Sequence, residues 1–153
     1  MQKIEINFSL SIDSILNLVY AQSALRAYCA PPDDTTAFLT PDQRCGLRVL
    51  VLDAIAWLAA STKANADPAA FADQSVDIIE LSYAVDPSRI EELTLATQRA
   101  MEASVAYRVL QLAFCDSPLA AREYARRAEN SIENLCSLLS DPWHGNLRID
   151  PHY

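Results

Sequence analysis

Four pairs of a helix-capping residue and a proline each precede a run of good helix formers, and these pairs divide the chain into helical segments. An oxygen on the capping side chain accepts a hydrogen bond from a free backbone N–H of the first turn, and proline at the first helical position loses no hydrogen bond. A run of good helix formers follows each pair, which predicts a helix start at each. The pairs are Thr40-Pro41, Asp67-Pro68, Asp86-Pro87 and Ser117-Pro118.

The chain is predicted to form five helices, four of which begin at these pairs. Ser11 can cap an additional first helix, which must end near Cys29 because consecutive prolines at 31 and 32 cannot continue it. The predicted helices span residues 11–29, 41–63, 68–84, 87–115 and 118–140. A chain of 153 residues with only two glycines suits helices better than a many-turned β fold. We therefore predict one all-α domain over residues 1–153, large enough to bury about 70% of its unfolded surface.

The stretch RCGLRVLVLDAIAWLAAS, residues 44–61, is apolar on nearly every side. Such a helix is typical of a protein interior, so we predict a bundle arranged around a central buried helix at 41–63. One side of this helix is bulky. The other side is thinner and has coiled-coil-like spacing, so that a neighbouring helix could approach closely. The thinner stripe consists of Gly46, Val49, Asp53, Ala56 and Ala60.

Asp53 lies in the middle of the thinner stripe, where a carboxylate is costly to bury unless it is paired. Arg108 falls on the inward stripe of the fourth predicted helix, and arginine is the cation best suited to a buried pair. We predict a buried structural pair of Asp53 and Arg108. Two alternatives stay open, namely that the stripe faces water and Asp53 is solvated, or that Asp53 is a functional acid.

Both ends of the chain show the period-two alternation of a strand. Near the start, Ile4, Ile6, Phe8 and Leu10 alternate with polar residues, and near the end Leu147 and Ile149 do the same. The two segments could pair as a ribbon, the first could pair with its copy in a dimer, or both could lie as extended tails on the helices. We predict short extended segments at both termini.

The sequence lacks the residues that several kinds of cofactor and metal site require. The two glycines, Gly46 and Gly145, cannot supply a P-loop or a dinucleotide-binding fingerprint. Both histidines lie in the last ten residues, and no Glu-x-x-His motif of a di-iron bundle is present. The four cysteines have long, irregular spacings without a C-x-x-C pair, which favours reduced thiols over a zinc site. We predict no catalytic residue, no cofactor and no metal.

The formal charge of −8 argues against nucleic acid and anionic membrane surfaces as partners. No run approaches the roughly 18 consecutive apolar residues of a membrane span. The first ten residues, MQKIEINFSL, lack the basic start and apolar core of a secretory signal. We therefore expect a cytoplasmic protein that binds neither nucleic acid nor membrane.

The acidic charge is concentrated in residues 67–92, which hold seven acids and one base, Arg89. If the third and fourth helices form a hairpin, this surface could dock a basic protein, because charge complementarity speeds association and selects partners. A simply solvated acidic face is the alternative. The fifth helix carries a favourable i,i+4 pair, Glu123 and Arg127. The candidate partner-binding residues of the hairpin are Asp73, Asp77, Glu80, Glu91 and Glu92.

The function that these patterns favour is a non-catalytic cytoplasmic protein-interaction module. It would self-associate as a homodimer, bind a basic protein through the acidic hairpin, or do both, as an immunity or inhibitor protein does. The alternative is a small metal-dependent hydrolase. Helical hydrolases of that kind hold magnesium with several carboxylates on facing helices, and the acids of the third and fourth helices are the best such set here.

Overall fold

Most of the described chain is helical, and one two-stranded sheet accompanies five α-helices. The computed structural model describes residues 2–30, 38–73, 75–93 and 95–139. The predicted all-α class is therefore correct for the larger part of the fold. In chain order the elements are β1 (Ile4–Ser11), α1 (Ile12–Cys29), α2 (Arg44–Thr62), α3 (Pro68–Ala72), β2 (Ile78–Val85), α4 (Leu95–Ala113) and α5 (Pro118–Leu139).

All four cap–proline pairs begin a helical turn, but only two lead into long helices. Thr40 donates its N–H to Gln43 Oε1 at 3.0 Å, and the short 3-10 turn Pro41–Gln43 leads directly into α2. Asp67 accepts from Ala69 N at 3.0 Å, yet α3 ends five residues later. The pair at 86–87 starts only the 3-10 turn Pro87–Arg89. A local cap thus marks where a helix starts and leaves its length undetermined.

The predicted helix over 68–84 is wrong in its second half, because residues 78–85 form β2. Ile79, Leu81, Tyr83 and Val85 are buried and alternate with more exposed neighbours, which is the period of a strand. The predicted helix over 87–115 is likewise shorter, and α4 begins at Leu95. Consequently no hairpin of two acidic helices exists in the described chain.

β1 pairs with β2 in antiparallel register, with Ile4 opposite Val85 and Leu10 opposite Ile79. One face of this ribbon is apolar and packs on the helices, and the other is polar, with Ser82 Oγ donating to Asn7 Oδ1 at 2.8 Å. The partner of β1 is therefore β2, which the three options predicted for the N-terminal segment did not include. The predicted C-terminal segment around 147–149 lies outside the described residues.

α4 lies against α1, α2, α5 and β1, and its side chains Met101, Val105 and Val109 are fully buried. α2 buries only one side, which includes Val51, Ile55 and Leu58. Its opposite side is exposed at Val49, Asp53, Ala56 and Ala60. The prediction of a central buried helix is therefore wrong for this side of α2, and the alternative in which the thinner stripe faces water is correct.

One helix of the described chain, Pro41–Thr62, is long and apolar enough to cross a membrane by length and composition. Its mean hydropathy is 1.5. The core helix of a soluble protein meets the same criterion, so length and composition do not distinguish such a helix from a membrane span.

Candidate functional site

The five acids predicted to bind a partner lie in loops and on the sheet. Asp73 accepts from the backbone N–H of Ser75 at 2.9 Å and from its hydroxyl at 2.6 Å, and these bonds lower the pKa of Asp73. Asp77 pairs with Arg48 at 3.2 Å, and Glu92 pairs with Arg89 at 3.2 Å. Glu80 lies on the exposed face of β2.

Four of these acids fall into two groups at opposite ends of β2. Asp73 and Asp77 precede the strand, whereas Glu91 and Glu92 follow it. An eight-residue strand separates its ends by about 23 Å at about 3.3 Å per residue. Among the described residues no group of three or more His, Cys, Asp or Glu side chains could hold a metal ion. The set therefore forms no common cleft.

Asp53 and Arg108 do not form the predicted buried pair. Asp53 is exposed on α2, so its carboxylate is solvated. Arg108 is half-buried, lies over the Trp57 ring at 5.3 Å from its centroid, and donates to Gln111 Oε1 at 2.9 Å. The predicted buried pair is corrected accordingly, in favour of the alternative in which the stripe faces water.

We use the name α2 face for the exposed stripe of Val49, Asp53, Ala56 and Ala60. Val49 exposes 48% of its surface although it lies on the most apolar helix of the described chain. Trp57 follows Asp53 by one turn and is half-buried, which brings the Arg108 guanidinium beside this stripe. The α2 face thus combines small apolar side chains with one carboxylate and one nearby guanidinium.

A cavity of about 360 Å³ lies between the C-terminal end of α1 and the first half of α5. Leu25 and Ala30 contribute apolar surface to its wall. The remaining lining side chains are Gln22, Arg26, Cys29, Glu123, Tyr124 and Arg127.

Arginine side chains and aromatic rings form a stack beside this cavity. The rings of Phe114 and Tyr124 are stacked, with centroids 6.0 Å apart. Arg26 lies 5.7 Å from the centre of the Phe114 ring, and Arg127 lies 5.9 Å from that of Tyr124. Guanidinium groups over aromatic faces are held by cation–π attraction, so the stack orients both arginines at the cavity.

Two charges of opposite sign also meet on α5, where Arg127 donates to Glu123 Oε1 at 2.5 Å. This ion pair confirms the predicted i,i+4 pair. Burial raises the pKa of Tyr124, while the charges of Arg26 and Arg127 act in the lowering direction. The two guanidinium charges therefore favour the ionised phenol, and burial opposes ionisation more strongly.

The chain matches no family model, no curated protein and no solved structure. Two features of the described chain are candidates for binding, the α2 face and the α1–α5 cavity. The first follows a stripe that the sequence shows directly. The cavity joins residues about a hundred positions apart, and only its local Glu123–Arg127 pair left a signal in the sequence.

Proposed function

We propose that this protein is a non-catalytic, cytoplasmic protein-interaction module that self-associates through the α2 face. The observation that carries the proposal is the exposure of Val49, Ala56 and Ala60 on the most apolar helix of the described chain. Apolar side chains grouped on one exposed side of a helix mark a candidate interaction site.

A second copy of the chain suits this face for two reasons. The spacing 49, 53, 56, 60 is that of a helix–helix seam, and its small side chains allow two backbones to approach closely. A two-fold interface brings the same patch of both copies together. Asp53 of one copy could then pair with Arg108 of the other, and the reverse pair would form by symmetry.

The separation of the acidic residues to opposite ends of β2 favours self-association over the docking of a basic protein on an acidic hairpin. A basic partner would have to contact both ends of β2 to meet Asp77 and Glu91 together. In addition, Asp77 and Glu92 already have arginine partners within the chain. No observation favours the alternative of a metal-dependent hydrolase.

Replacing Val49 with glutamate should weaken self-association about tenfold or more. The new carboxylate would lie in the apolar seam near Asp53, where desolvation and like-charge repulsion each oppose the contact; a tenfold change corresponds to about 1.4 kcal/mol. Sedimentation equilibrium over a range of protein concentrations measures the dissociation constant. The matched control is Leu119→Glu, which adds the same charge at an apolar residue of α5 that is 80% exposed. A monomeric wild-type protein, or equal effects of the two variants, would contradict the proposal.

The charges of the seam give a separate expectation. Asp53→Arg and Arg108→Asp should each weaken the dimer, because each places two like charges opposite one another. The double variant should recover at least part of the wild-type affinity, since it restores opposite charges in reversed order. The same sedimentation measurement applies, with circular dichroism to check folding. Additive losses in the double variant would show that these two residues do not pair between copies.

A further inference from the structure

The α1–α5 cavity concentrates hydrogen-bond donors that suit an anion. Arg26 comes from α1, and Arg127 and Tyr124 come from α5, so three residues with donor groups line one cavity from two elements. Guanidinium groups bind carboxylate and phosphate oxygens in a planar, often bidentate geometry, and such charge-assisted bonds are among the strongest in proteins. The stack on Phe114 and Tyr124 restrains the two guanidiniums before any ligand arrives.

The charge of the cavity is opposite to that of the chain. The sequence has 20 acidic and 12 basic residues, whereas the cavity is lined by two arginines and one glutamate. Glu123 already accepts a hydrogen bond from Arg127, so one donor group of the cavity is already in use. An entering anion would share Arg127 with Glu123 or displace it.

The volume and the apolar part of the wall indicate a ligand larger than an inorganic ion. About 360 Å³ lies within the range of roughly 300–1,000 Å³ that is usual for small-molecule sites. Leu25 and Ala30 give an organic body apolar surface to contact, while the polar groups orient its charged end. The cavity is partly open to solvent, because Leu25, Glu123 and Arg127 in its wall are exposed, so a ligand can enter without a rearrangement of the helices.

We propose that the α1–α5 cavity binds a small organic anion, with its carboxylate or phosphate group held by Arg26, Arg127 and the Tyr124 hydroxyl. This assignment goes beyond self-association and does not depend on it. The raised pKa of Tyr124 keeps its phenol protonated at neutral pH, so that it can donate to the anion.

Cys29 provides a direct probe, because its exposed thiol lines the cavity. The protein is alkylated with iodoacetamide in the presence of phenyl phosphate, benzoate, inorganic phosphate or neutral benzyl alcohol, and mass spectrometry gives the rate at each cysteine. Cys45, which is exposed on α2, is the internal reference. An occupied cavity should slow alkylation of Cys29 several-fold in the presence of an organic anion and leave Cys45 unchanged.

The choice of probes separates the possible ligands. Protection by phenyl phosphate alone would assign a phosphate ester, and protection by benzoate alone would assign a carboxylate. Protection by both, with little from inorganic phosphate, would show that the organic body contributes and that either oxyanion fits. Equal protection by benzyl alcohol, or none by any anion, would overturn the proposal.

Three charge variants test the roles of the lining residues. Arg127→Gln should weaken binding of the protecting anion about tenfold or more, since one charge-assisted hydrogen bond is lost. Glu123→Gln should strengthen binding of the same anion, because a competing carboxylate is removed. Arg122→Gln is the matched control, since it removes the same charge from an exposed position of α5 outside the cavity lining. Equal effects of Arg122→Gln and Arg127→Gln would show that the anion responds only to the net charge of the protein, and would contradict a binding site in the cavity.

Discussion

Replacing Leu81 with alanine should lower the free energy of unfolding by about 2–5 kcal/mol, as is usual for a large-to-small change in a closed core. Leu81 is fully buried on β2 and lies opposite Phe8 in the register of the sheet. The protein loses the free energy gained by burying the removed methyl groups. Because the surrounding side chains are closely packed and relax only in part, a cavity remains and adds to the loss. Urea denaturation followed by circular dichroism measures the difference.

Ile78→Ala is the matched control for this variant. Ile78 lies three residues earlier on the same strand but exposes 54% of its surface, so its truncation should cost far less. A larger loss at Ile78 than at Leu81 would contradict the assignment of residues 78–85 to a strand, because it would reverse the inward and outward sides of β2.

The error over residues 78–85 has a physical cause. Ile79 and Tyr83 are four residues apart, which fits a helix, and they are also both on one side of a strand, which fits β2. The choice between the two is made by β1, whose Phe8 pairs with Leu81 from more than seventy positions away. Local periodicity cannot report a partner at that distance. The cap–proline pairs were more informative because a capped first turn depends on neighbouring residues alone.

The position of α2 shows a different limit of sequence patterns. Apolarity around the whole helix predicts burial, but burial also requires enough neighbouring elements to cover each side. α4, α1 and α5 pack on α2, and Val49 and Asp53 remain exposed. The open alternative in which Asp53 is solvated agrees with this arrangement. A single charged residue in an apolar stripe was therefore a better guide to exposure than the hydropathy of the whole segment.

The cavity could not be predicted for a third reason. It exists only because the end of α1 packs near α5, which brings Arg26 and Tyr124 together across about a hundred residues. The sequence showed the Glu123–Arg127 pair, since that contact is local to one helix. The cation–π contact of Arg127 with Tyr107 depends on how α4 and α5 pack, and that of Arg26 with Phe114 depends on where α1 lies relative to the end of α4, so no local pattern indicates them.

Raising the pH above about 10 should destabilise the folded protein through two buried tyrosines. Burial raises the pKa of Tyr83 and of Tyr124 above the ordinary value of 10.0. The unfolded chain therefore loses these protons at a lower pH than the folded one does. Stability from the two phenols is fully present below pH 10 and is lost as the pH rises through the folded pKa values, by about 1.4 kcal/mol for each pKa unit of difference. Urea denaturation at a series of pH values from 8 to about 12 measures the decline.

Tyr83→Phe isolates one part of this decline, because it removes a phenol that is hydrogen-bonded to Thr62 Oγ1 at 2.7 Å. At neutral pH the variant should lose only about 1 kcal/mol, since Thr62 still donates to Leu58 O at 2.8 Å. Above pH 10 its stability should fall less steeply than that of the wild-type protein, so the two curves converge. Tyr28→Phe, at a position that is 88% exposed, should leave the neutral-pH stability unchanged. If the Tyr83→Phe and wild-type curves stay parallel from pH 8 to about 12, ionisation of Tyr83 does not drive the alkaline loss, and its burial beside Thr62 would be contradicted.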